Sequence, residues 1–154
     1  MALDSRNTAG TRFIPDVIRD PRQWWWGLLG GNPEVAEQDL IDLRQGLPLH
    51  SVAHLRRGDF LWQGILVMHL AAPVRLTWRR WRPFRTFAAP IPVPFPTEVL
   101  GVREPASFAE RQFGDVRYIS FLAGGQVSEM AVVTLDTTVV TTALTEANTW
   151  TPPL

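Results

Sequence analysis

The chain has 154 residues, 45% hydrophobic and 19% charged, which is the size of one globular domain with enough apolar content to bury a core unaided. It contains no cysteine, which excludes disulfides, zinc–thiolate sites, iron–sulfur clusters and thiol catalysis; every basic residue is arginine, which excludes lysine Schiff-base chemistry and a lysine-bearing phosphate loop. Net charge is zero but unevenly spread, since residues 60–97 carry five arginines and no acid while residues 98–154 carry seven acids against three arginines. Such a band can steer an anion or pair head to tail with another copy, yet is too small for a dedicated duplex-DNA binder.

Met1 to Thr11 is polar and reads as a mobile start. Asp4, Asp16 and Asp20 in the first twenty residues leave no secretory pattern, and the longest apolar run, Phe60 to Val74, is interrupted by Gln63 and His69 and too short to span a bilayer. The expectation is a soluble cytoplasmic protein, or one peripheral at a membrane. Asp20-Pro21 predicts the start of a short helix, followed by Trp24-Trp25-Trp26 and Gly30-Gly31. Asn32-Pro33-Glu34 supplies a cap, a first-turn proline and a first-turn acid, and Gly46 a stop, so Pro33 to Gln45 is predicted helical. Val35, Ala36, Leu40, Leu43 and Leu47 form its apolar stripe; Glu37, Gln38 and Asp42 are expected in water, and Glu34, Glu37 and Asp39 read as a wet face, not an acid/base pair.

After Pro48 the pattern becomes strand-like. Leu49 to Leu55 alternates weakly, Arg57-Gly58-Asp59 is a turn, and Phe60 to Leu70 is apolar on both faces. Pro73 breaks that run. Val74, Leu76 and Trp78 then alternate with Arg75, Thr77 and Arg79, the pattern of a half-buried strand. Pro83, Pro90, Pro92, Pro94 and Pro96 make the next segment an extended connection or edge. Thr97 to Arg103 reads as a short strand, and Val116 to Ala123 and Gln126 to Val133 as a hairpin about Gly124-Gly125. Asp136 is expected to cap a closing helix with Leu135, Val139, Val140, Ala143, Leu144 and Ala147 on one stripe. The expected units are a helical N-terminal extension over 1–48 and a β-rich domain with a C-terminal helix over 49–154.

This order of an arginine- and tryptophan-bearing strand, an aliphatic strand around Val99, a late hairpin and a closing helix resembles the small bacterial pleckstrin-homology-like domains. Leu76-Thr-Trp78-Arg-Arg and Glu129-Met-Ala131-Val-Val are the closest local matches, within a similarity spanning about residues 49–147. The resemblance implies an α+β fold, an antiparallel barrel or bent sheet plugged by a C-terminal helix, and a binding or scaffolding role. It carries over no ligand, because no family ligand motif stands in this chain.

The densest candidate site is Arg75 to Arg85, with five arginines, Trp78, Trp81 and Phe84 in eleven residues and no acid. Guanidinium forks suit phosphate or carboxylate, and Trp81 suits stacking on a base or lying at a headgroup boundary. The bland alternative is a core Trp78 with arginines paired to Glu98, Glu104 or Glu110. Three adjacent indoles cannot all point inward, so at least one of Trp24, Trp25 and Trp26 is expected at the surface or beneath a partner. His50 and His54 share a face, but no His-Glu-x-x-His pattern and no firm third ligand accompany them, so no metal or cofactor is expected. No Gly-x-Ser-x-Gly surrounds Ser107, Ser120 or Ser128. The expected function is a non-catalytic interaction or scaffold module for a protein partner or a homo-oligomer, with no small-molecule substrate. Trp24 to Trp26 would be its anchor, and Arg75, Arg79, Arg80, Trp81, Arg82 and Arg85 its charged rim. The alternatives are binding of an anionic surface (membrane lipid or single-stranded nucleic acid) and a structural subunit of a larger assembly such as a virion.

Overall fold

A computed structural model of the chain describes residues 5–10, 33–71, 73–82 and 87–149. The helix expected after Asp20-Pro21, the Trp24-Trp25-Trp26 run and Arg85 lie outside the described residues.

The fold is organised by one long strand, β2 (Leu49–Arg57), following β1 (Arg6–Asn7) and α1 (Pro33–Arg44). Leu49, Ser51, Ala53 and Leu55 are buried on its inner face, while His50, Val52, His54 and Arg56 alternate onto the outer one. The Gly58-Asp59 turn, with Gly58 at φ +60, folds the chain back as β3 (Phe60–Trp62) and β4 (Gly64–His69) in one continuous antiparallel register. Gln63 marks the break between them. β5 (Arg75–Arg80) pairs with β4, and the two-residue β6 (Ile91–Pro92) closes that side. On the other flank of β2 come β9 (Gln126–Val133), β8 (Val116–Ala123) and β7 (Thr97–Arg103). The resulting order, β6-β5-β4-β2-β9-β8-β7, makes a curled antiparallel sheet, a half-barrel. β2 joins its halves by pairing along one flank first with β1 and then, three residues later, with β9.

The concave side holds the core. Leu49, Leu66, Met68, Leu76, Trp78, Ile119, Met130 and Val132 meet Val139, Val140, Ala143 and Leu144 of the C-terminal helix α3 (Thr137–Glu146) and Leu43 of α1. The predicted stripe of α3 is thus the buried one, with Leu135 only half-buried. Its far end is bolted to β7, because Asn148 Oδ1 accepts the Thr97 N–H at 2.8 Å and its amide nitrogen donates back to the Thr97 carbonyl. The side-chain amide of Asn148 thereby acts as a strand neighbour for Thr97. A short helix, α2 (Phe108–Arg111), capped by Ser107, lies between β7 and β8.

Three expectations are corrected. The start of the chain is not loose where it is described: Arg6 and Asn7 pair in parallel with Leu49 and His50, and Thr8 is buried. Asp39 and Asp42 are buried, while Leu47 and Ile41 are exposed. Periodicity misses this because the acids of α1 turn toward Arg6, whose guanidinium contacts Asp39 Oδ1 and Asp42 Oδ2, each at 2.7 Å. Finally, Asp136 occupies the helix N-cap position without capping, its carboxylate being engaged elsewhere. The stop at Gly46 behaves as read: with φ +82 it forms a Schellman turn, the Leu47 N–H reaching Asp42 and its own N–H reaching Leu43.

Candidate interaction surface

Register with β4 decides which way each residue of β5 points. Leu76 sits opposite Met68 and Trp78 opposite Leu66, on the core side; Arg75, Thr77 and Arg79 face outward opposite His69, Val67 and Ile65. Trp78 is 3% exposed and donates its indole N–H to the Ala53 carbonyl at 2.9 Å. Its ring lies so close over Gly64 that a Cβ there would stand 2.5 Å from it. The remainder of the run stays at the surface. Arg75 and Arg82 are exposed; Arg79 donates from Nε to the Ala88 carbonyl at 3.0 Å and lies over the Phe87 ring; Arg80 stacks on Trp62 at 3.9 Å. The backbone of Trp81 extends the ladder by donating to the Gln63 carbonyl at 2.9 Å. The returning segment pairs Ala88 with Arg80 and Val93 with Leu76, so prolines blunt this edge of the sheet.

Among the described residues, none of Arg75, Arg79, Arg80 and Arg82 forms an ion pair. The acids suggested as their partners are committed elsewhere or distant in the sheet order. Glu110 is held by Arg56 and Arg103, Glu104 by Arg117 at 3.4 Å, and Glu98 is exposed on β7, the strand at the opposite end from β5 and β6. The alternative in which Glu98, Glu104 or Glu110 neutralises the run is therefore corrected for Arg75, Arg79, Arg80 and Arg82: strand order puts Glu98 and Glu104 on or just after β7, and Glu110 serves Arg56 and Arg103.

Two arrangements around β2 are ones that local sequence does not announce. On β2, β7, β9 and α2, Arg56 and Arg103 share Glu110 and Glu129 at 2.6–3.0 Å, and both guanidinium groups lie over Tyr118. The Arg103 fork beside Glu110 holds that carboxyl down to about 2. Asp136 sits where β9 leaves β2 and β1 takes over. Its carboxylate accepts from Thr8 Oγ1 and Ser51 Oγ, each at 2.7 Å, and from the Gly10 N–H at 2.9 Å. Complete burial raises its pKa, opposed by those three donors. Asp136 was legible only as a cap, and Thr8, Ser51 and Gly10 carried no signal.

His50 and His54 do share the outer face of β2, as the alternation requires, but they do different things. His50 Nδ1 lies 2.7 Å from Ser5 Oγ. The His54 ring packs on Phe113 with centroids 5.1 Å apart, and burial lowers its pKa, so it is neutral at pH 7. Among the described residues no group of three or more His, Asp or Glu side chains is placed to hold a metal ion. Between His54, Gln63, Trp81 and Phe113 opens a cavity of about 310 Å³. Trp81 lines this cavity on the side of the strand shared with Arg79.

Among the described residues no helix is long and apolar enough to cross a membrane. No protein-family model, curated protein or solved structure matches the chain. What fold and surface define is an α+β half-barrel closed by a helix, with a basic edge at one end of its sheet.

Proposed function

We propose that the protein is a non-catalytic interaction module whose basic edge, Arg75, Arg79, Arg80 and Arg82, docks an acidic protein surface, either on a partner or on a second copy. One observation carries this reading: four arginines of a single run, Arg75, Arg79, Arg80 and Arg82, lack any carboxylate partner among the described residues, in a chain where Arg6, Arg56 and Arg103 each hold carboxylates at 2.6–3.0 Å. Uncompensated arginines at a surface favour charge-complementary docking and set encounter rate and orientation. A second copy offers complementary charge in Glu98, which is exposed at the other end of the sheet. Arg85 extends the rim and Trp24 to Trp26 supply the apolar anchor on sequence grounds, since tryptophan and arginine dominate binding hot spots. The curled sheet with its closing helix supports a pleckstrin-homology-like relationship, in a fold type that works through its surface.

Sedimentation of the full chain from about 50 to about 500 mM salt tests the proposal, with an acidic protein fraction added in a second series. Self-association or capture that is lost in Arg79→Glu/Arg82→Glu and in Trp25→Ala supports it. A monomer that captures no acidic protein at the lowest salt overturns it. Binding to heparin or anionic vesicles with a log-linear salt dependence, and to no protein, replaces it with the anionic-surface reading.

A further inference from the structure

The outer-face cavity has a chemistry unlike the rest of the surface. Its volume, about 310 Å³, falls at the lower end of the range for small-molecule pockets. Val52 and the rings of Trp81 and Phe113 make its walls apolar, and among the described residues no arginine lines it. In a protein whose only fixed cations are arginines, that composition disfavours an anion. Asp115, which also lines it, accepts from the Thr134 hydroxyl at 2.6 Å and pairs with Arg117 at 3.5 Å, so it presents no free positive charge either.

Two polar side chains converge on this space without being used by the fold. His54 Nδ1 is buried and has no hydrogen-bond partner among the described residues, so no described neighbour fixes the tautomer from that nitrogen. The imidazole can therefore offer a neighbour either an N–H or a lone pair. Gln63 interrupts the apolar Phe60 to Leu70 run and breaks β3 from β4; its carbonyl serves Trp81, but its side-chain amide forms no hydrogen bond among the described residues. An unused donor–acceptor pair beside two aromatic faces suits recognition of a flat, polar-edged ring.

We propose that this cavity binds a neutral, planar heterocycle of one or two rings, its edge hydrogen-bonded by His54 and Gln63 and its face packed on Trp81 and Phe113. This departs from the expectation of a module with no small-molecule ligand, and it stands independently of the arginine edge. The test is an amide-resolved NMR titration of the full chain at neutral pH with benzimidazole, and with benzoate as the anionic comparison. Saturable shifts centred on His54, Gln63, Phe113 and the Trp81 indole N–H are expected, with benzoate about tenfold weaker or silent. Val52→Phe, which fills the cavity, is expected to abolish them. Should that variant not fold, Gln63→Ala serves instead, with a predicted weakening of about threefold or more. Shifts that are absent or scattered, equal binding of benzoate, or unchanged affinity in the variant that folds would overturn the proposal.

Discussion

Two residues show how tightly single positions are constrained. Gly64 is needed because the Trp78 indole and the Arg79 carbonyl both stand 2.5 Å from where a Cβ would be. Neither can retreat, since the indole is hydrogen-bonded to Ala53 and the carbonyl belongs to strand β5. Gly64→Ala is expected to destabilise the fold by about 1–3 kcal/mol in urea denaturation. Asp136 gives a pH-dependent case. Burial sets its folded pKa above the unfolded 3.8, so the stability it contributes is complete below that value and declines as pH rises through the folded one. Asp136→Asn keeps the shape but turns a donor toward Thr8, Ser51 or Gly10. Its deficit, about 1–3 kcal/mol, is predicted to be largest near pH 3 and to shrink toward neutrality when the two proteins are compared across that range.

Elements are held together by ion pairs that cross long stretches of chain. Arg6 fixes β1 to α1 by bridging Asp39 and Asp42, and Asp39 is fully buried. Arg6→Met would leave an unpaired buried carboxyl and is expected to cost about 3 kcal/mol, read as a lower denaturation midpoint. The Arg56–Glu110–Arg103–Glu129 network fastens α2 to three strands, and its acid response has the opposite sign from Asp136. Glu110 is lowered from 4.5 to about 2, so its contribution is present above pH 4.5 and lost as pH falls through that interval. Glu110→Gln should therefore flatten the acid limb of a melting-temperature profile between pH 5 and pH 2, while costing on the order of 1 kcal/mol at neutrality because the network borders solvent.

The whole molecule is a sheet with two differently finished edges. One is covered by a proline-bearing return segment; the other, β7, is broken by an irregularity between Val99 and Gly101 and carries Glu98 and Arg103, features that discourage indiscriminate strand pairing. Its centre, β2, is flanked on both sides and capped by α3. Native-state hydrogen exchange should accordingly find the slowest amides in β2, β4 and β9, with β6 and the open side of β7 exchanging at least about tenfold faster. Uniform protection across the sheet would contradict this hierarchy. Charge is sorted along the same axis, with unpaired arginines at the β5 end and the exposed Glu98 on β7, which is the layout the proposed docking uses.

Periodicity and punctuation alone determined the helix at Pro33 with its Gly46 stop, the strand with Leu76 and Trp78 inward, the hairpin about Gly124-Gly125 and the apolar stripe of the last helix. Each is a short-range pattern, in which spacing of 2 or 3.6 and the conformational freedom of glycine act within a dozen residues. The arginine run and the misfit Gln63 were visible for the same reason. Only tertiary structure decided that Asp39 and Asp42 turn inward to Arg6, that Glu110 serves Arg103 and not the β5 arginines, that Asp136 joins Thr8 and Ser51, and that His54, Gln63, Trp81 and Phe113 enclose one cavity. Those partners are set by strand order and register, and electrostatic or cavity-forming contacts between residues far apart in the chain leave no periodic trace in it.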